Sequence, residues 1–370
     1  MLTLLTALLL SPVLVRPAAG PRPAFTVTVD STHHEIVLTY TAPGGAADAA
    51  ESMHAAHHGG HTDHTEILNR FAWPVDGWVR GANVECRAAN GTPLSQSLVH
   101  HLTLINFQRP QLVHAGVERT WAAGAETAPV MLPAGIGVPL ATGTQMGLVV
   151  AYAAETVAPG TTVTVRLRWT PGNTVPRPVS LIPLALDVSG HIGATPAYDL
   201  AAGHSERSLE FSLPLAGRML AAGGHLHDYA TELRLEEVKT GRVLVRLIPA
   251  HDAQGHVLGV PQKLFGISGM GRPLQAGVRY RLVSVYDNPT AELIPDGAMG
   301  EMGIAFVPDD LAAWPALDRD DPALAADLRR LDRLVPGLGS TDHAAHADPA
   351  LIPPAAVGIG GAESRDLDTF

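Results

Sequence analysis

A chain of 370 residues with 46% apolar content exceeds what one hydrophobic core ordinarily serves, so two domains are the default. Only 16% of the residues are charged, while 37 glycines and 30 prolines suit many short strands joined by turns, which makes all-β the leading fold class. The net charge of −11, with no Lys/Arg cluster, argues against nucleic acid or an anionic membrane surface as partner.

In chain order, MLTLLTALLLSPVLVRPAAG has an apolar run from Leu2 to Val15 followed by Ala18, Ala19 and Gly20, the layout of a signal peptide over residues 1–20. A secreted or periplasmic location is the expectation, and no other apolar stretch is long enough for a membrane span. FTVTVD and HEIVLTY alternate apolar and polar residues as the two strands of a hairpin. Residues 42–66, which hold His54, His57, His58, His61 and His64, have almost no large apolar side chain and read as a mobile loop. FAWPVDGWVRGANVEC, SLVHHLTLINF, MGLVVAYAA and TTVTVRLRW complete a first β-sandwich over 21–175. A proline-rich linker places a boundary near Pro176, and SLEFSLPL, ATELRLEEV, RVLVRLI and YRLVSVYDN form a second sandwich over 176–308. Over 309–370 the pattern becomes helical in DPALAADLRRLDRLV and then low in complexity, predicting a short helix and a loose tail. The one cysteine, Cys86, excludes an intramolecular disulfide and reads as structural.

Chemistry falls to the 18 histidines. In GGHLHDY, His225 and His227 are two apart on a predicted strand and share a face, so one ion can reach both. In VHHLTL, His100 and His101 are adjacent, and a regular strand would send them to opposite faces; sharing an ion requires a bulge or twist there. In IPDGAMGEMGIAFV, a turn delivers Met299 and Met302 to the start of a strand, and thioether with imidazole is a soft donor set that favours copper, Cu(I) especially. Asp228, Tyr229 or a backbone carbonyl is expected to accept the outer ring N–H of a ligating histidine. His191, His204, His251 and His256 read as surface groups.

Taken in order, these elements resemble the copper type II, ascorbate-dependent monooxygenases, the family of peptidylglycine α-hydroxylating monooxygenase and dopamine β-monooxygenase. The resemblance covers roughly residues 65 to 307 and includes the layout of 118–153 between the first pair and the strand that follows. It implies two antiparallel jelly-roll-like β-sandwich domains with one copper each, facing each other across a cleft. It makes His225, His227 and Met302 the ligands of the copper at which dioxygen is activated, and gives His100 and His101 to a copper that delivers an electron. Ala151, Tyr152 and Ala153 stand where the family has a third histidine, and the family's disulfides are absent. A loop histidine from 54–64 is the candidate replacement. Two functions follow as expectations. One is a copper monooxygenase that hydroxylates a C–H bond of an unknown small-molecule or peptide substrate with dioxygen and an ascorbate-like reductant. The other is a non-catalytic extracytoplasmic copper-binding or storage protein.

Overall fold

A computed structural model describes residues 24–43, 64–124, 127, 129–153, 157–190, 197–266, 271–335 and 357–359. The expected signal peptide and His54, His57, His58 and His61 lie outside the described residues.

The fold is nearly all β, two antiparallel jelly-roll-like sandwiches with one short helix after the second. In the first, strands β1 (Ala24–Asp30) and β2 (Glu35–Thr41) form the expected hairpin, with Asp30 opposite Glu35. Alternation sends Val27, Val29, Ile36, Leu38 and Tyr40 inward, all at most 7% exposed. Strand β3 (His64–Ala72) begins earlier than expected, since Thr65 and Ile67 are already buried, so the segment read as loop to residue 66 stops short of His64. The sandwich continues with β4 (Gly77–Arg87), β5 (Val99–Pro110), β6 (Val117–Gly124), β7 (Ile136–Leu140), β8 (Gln145–Ala153) and β9 (Thr162–Pro171). One sheet runs β7-β4-β9-β2-β1 and the other β3-β8-β5-β6, so apart from the β1–β2 and β5–β6 hairpins the pairings join strands distant in sequence.

The second sandwich pairs β10 (Ile182–Asp187), β12 (Gly217–Leu226) and β16 (Gly300–Pro308), in the order β10-β16-β12, against a sheet of β11 (Gly203–Ser212), β13 (Ala230–Glu237), β14 (Arg242–Leu247) and β15 (Arg279–Asn288), in the order β11-β15-β13-β14. Met302, Ile304 and Phe306 of β16 enter the second core, whereas Ala305 and Val307 on its other face pack with Leu220 against the first. The β10-β16-β12 sheet therefore lies between the two cores and forms the seam where the sandwiches meet.

Helix α1 (Pro322–Arg333) starts with Asp321 accepting from Ala323 N–H at 2.8 Å and with proline at its first position, a standard helix start. It returns to the first sandwich. Leu324 and Leu331 pack on Leu68, Ile105, Val117 and Val149, the outer face of the β3-β8-β5-β6 sheet. Asp327 grips Arg119 through two hydrogen bonds of 2.6 and 2.8 Å and accepts from Val117 N–H at 3.0 Å. Beyond it, β17 (Val357–Ile359) runs parallel to β1 within the tail expected to be loose. Among the described residues no helix is long and apolar enough to cross a membrane.

Candidate metal centre

The pairing of β5 with β8 runs in step from Asn106 opposite Met146 to His101 opposite Ala151, then jumps to Val99 opposite Tyr152. His100 is the extra residue of this bulge, and the skipped position turns it to the side of His101, as an adjacent pair requires. Their Nδ1 atoms lie 3.0 Å apart and their rings 5.0 Å between centroids. Two imidazole nitrogens sharing an ion at about 2 Å each sit roughly this far apart, so the donors fit a single metal.

Glu66 of β3 occupies the same row, across Ala151 from His101. The family resemblance put a histidine around Ala151; here its methyl is the low ground over which Glu66 Oε1 comes within 3.0 Å of His101 Nε2. A carboxylate can only accept, so Nε2 carries the proton and the Nδ1 of a neutral His101 carries a lone pair on the side of His100. Burial pushes the Glu66 carboxyl up, but the His101 hydrogen bond and the charges of His101, Arg330 and His100 outweigh it and hold it below the usual range. Arg330 comes from α1, 3.8 Å from Glu66 Oε2.

His225 near the end of β12 and His227 just past it come together, their ring centroids 5.6 Å apart and the planes at 87°. The partner expected for them is elsewhere. β12 pairs with β16 so that Gly224 faces Met302 and His225 faces Glu301. Residues opposite one another share a face, which puts Met302 on the side away from both histidines. It is 1% exposed and packed in the second core, and a Cβ on Gly224 would strike Leu233 and Leu247 of that same core. The ligand set His225, His227 and Met302 is thus corrected to a histidine pair beside a carboxylate.

The expected supports also differ. Asp228 Oδ1 accepts from Val257 N–H at 2.9 Å, and Tyr229, at φ +67°, donates its backbone N–H to Gly255. The group that organises this corner is Tyr286, whose buried hydroxyl accepts from His227 N–H at 3.1 Å and Met299 N–H at 2.9 Å and donates to the Met299 carbonyl. Nothing in YRLVSVYDN distinguishes it from a core aromatic. His204, read as a surface group, is exposed on β11 with Nδ1 2.8 Å from Asp287 Oδ1.

Both pairs border the seam. Burial raises the Glu301 carboxyl, against the charges of His225, His101 and Arg119 that draw it down. Asp187 sits opposite Glu301 on β10, 1% exposed, and burial pushes its carboxyl up to about 7; the Ser189 backbone N–H opposes this and Glu301 adds to it. Its backbone N–H donates to the buried His114 Nε2 at 3.2 Å. Among the described residues no group of three or more His, Cys, Asp or Glu is arranged around one point, so each pair offers two imidazoles. The backbone of His64 stands opposite Ala153, one row from Glu66.

No family model matches the chain, and no curated protein matches it. Among solved structures it is similar to the major capsid protein P2 of bacteriophage PM2, with 10% identity, a TM-score of 0.34 and coverage of 69% of this chain and 95% of that one. It is also similar to PBCV-1 VP54, fitted into a reconstruction of the virophage Sputnik, with 9% identity, a TM-score of 0.29 and coverage of 68% and 96%. The resemblance to copper type II monooxygenases is corrected here: no family model or curated protein carries it, and the two solved structures just named are a bacteriophage major capsid protein and PBCV-1 VP54. Of the motifs that suggested it, GGHLHDY and GEMGIAF send His225 and Met302 to opposite faces of one sheet, and VHHLTL lies on another.

Proposed function

We propose that this protein binds a borderline transition-metal ion at the His100–His101 pair, with copper(II) the ion its donors favour. The observation that carries this reading is the 3.0 Å approach of the two Nδ1 atoms, with His101 fixed from behind by Glu66. A carboxylate that accepts the outer N–H of a ligating histidine orients the ring and raises its basicity. Imidazole suits copper, zinc and nickel, and among divalent ions copper(II) binds most tightly to such donors. The preference for Cu(I) rested on the Met302 thioether, which is turned into the core. Hydroxylation with dioxygen and a reductant rested on the same thioether and on the family resemblance, whereas metal binding needs neither. His225 and His227 form the second, weaker centre across the seam.

Titration of the full chain with copper(II), followed by calorimetry and electron paramagnetic resonance, tests this. Nitrogen hyperfine structure and a strong first binding step are expected, lost in His100→Ala and His101→Ala and kept in His204→Ala. Equal affinity in wild type and both ligand variants overturns it.

A further inference from the structure

Loops of the first sandwich, with Leu311 from beyond the second, line an open groove of about 1210 Å³ whose side chains include Trp78, Trp169, Gln108 and Arg109. It lies apart from the histidine pairs and stands independently of the metal reading.

The rim is stitched by backbone. Trp73 N–H donates to the Thr144 carbonyl and Gly143 N–H to the Trp73 carbonyl, both at 2.8 Å; Thr142 N–H donates to Asp76 Oδ1 at 2.7 Å and Gly172 N–H to the Asp76 carbonyl at 3.0 Å. Three loops thus hold one shape before any ligand arrives, which lowers the entropy cost of binding. The indoles are clamped at their edges: Trp78 Nε1 donates to Ser180 Oγ at 3.2 Å, and Trp169 meets the His34 ring edge-on at 5.4 Å. Both are half-buried and line the groove. Arg109 is held by Glu118, 1% exposed, at 2.9 Å, and Asn106 donates to the same carboxylate oxygen at 3.2 Å.

This chemistry narrows the ligand. Glu118 pairs with Arg109, and Asp76 and the exposed Arg177 add one charge of each sign to the lining, so the groove carries no net charge to recruit an anion. It offers donors in the guanidinium groups and both donors and acceptors in the amides of Gln108 and Asn173. A sugar ring matches such a surface, with an apolar C–H face for an indole and a rim of hydroxyls that each donate and accept. A proline-rich segment would also suit aromatic walls, but it presents mainly carbonyl acceptors and leaves the groove's own acceptors unmatched. The volume exceeds the roughly 300–1,000 Å³ of ordinary small-molecule pockets, and the open ends suit a chain rather than a single ring.

We propose that this groove binds an uncharged oligosaccharide, with Trp78 and Trp169 taking ring faces and Arg109, Gln108 and Asn173 hydrogen-bonding hydroxyls. The test is a fluorescence and calorimetric titration of the full chain with cellohexaose, maltohexaose, chitohexaose and a proline-rich dodecapeptide. At least one hexasaccharide should shift the tryptophan emission saturably. Trp78→Ala and the exposed-site variant Gln108→Ala should each weaken that binding by about tenfold or more, with the Gln108→Ala melting curve unchanged. The proposal is overturned if no hexasaccharide binds, if only the peptide binds, or if Gln108→Ala and Trp78→Ala both bind as wild type does.

Discussion

His100 and His101 are neighbours in sequence and share a side only because a bulge interrupts the β5–β8 ladder, whereas His225 and His227 come together where β12 ends. The irregular strand yields the better-built centre, because its bulge comes with a carboxylate one strand further on and an alanine between them. At the end of β12, where the ladder with β16 is in step, the cross-strand neighbour of His225 is set by parity alone, and parity selects Glu301 over Met302. Local geometry at one or two residues thus outweighs the composition of a motif in deciding which side chains meet.

The largest expected effect tests the support beneath the first pair. Asp327→Ala leaves Arg119, 8% exposed, without its bidentate partner, and should cost about 3–5 kcal/mol in denaturant unfolding. Because α1 also carries Arg330 against Glu66, copper(II) affinity should fall at the first pair and hold at the second. Equal losses at both pairs would erase the distinction between them.

Met302→Ala should cost about 2–5 kcal/mol through the cavity it opens in the second core, with metal affinity unchanged. A variant that keeps its stability and loses metal would restore the thioether as a ligand and reverse the parity argument.

Asp187 gives the seam its pH dependence. An unfolded aspartate ionises near pH 4, while Asp187 keeps its proton to about 7 in the folded protein. Between those values the folded state binds more protons, so stability falls as pH rises, by up to about 1.4 kcal/mol per pH unit. The contribution is fully present below about pH 4 and lost as pH passes through about 7. Asp187→Asn should flatten the slope of unfolding free energy between pH 5 and pH 7, read from melts at each about one unit apart. A slope unchanged in the variant would assign it to another group.

The smallest effect separates the pairs most finely. Glu66→Gln keeps the shape of the acceptor and removes its charge, and should weaken copper(II) at His100–His101 by about 10–100-fold while leaving the His225–His227 step alone. No change at the first pair would mean that the carboxylate does not orient the ring.

Several of these features were legible in the residues. Alternation in FTVTVD, HEIVLTY and YRLVSVYDN located strands, and the proline start and Leu spacing of DPALAADLRRLDRLV located the helix. The requirement for a bulge at His100–His101 also followed from strand geometry before its position was known. Glu66 was not legible, since TEILNR follows a histidine-rich polar stretch and joins His101 only through an intervening strand. Tyr286 was hidden for a related reason: its hydroxyl serves backbone groups of two segments remote from it in sequence.

What the sequence by itself determined is the periodicity: an all-β chain, a helix after it, and histidines paired at spacings of one and two. Periodicity is a property of consecutive residues, so it survives without knowledge of neighbours. What tertiary structure decided is register. The slip between β5 and β8 brings His100 beside His101, the pairing of β12 with β16 exchanges Met302 for Glu301, and the return of α1 to the first sandwich sets Arg330 behind Glu66. A shift of one residue in a ladder reverses which face every side chain takes, and that choice is made by hydrogen bonds and core packing between segments distant in sequence.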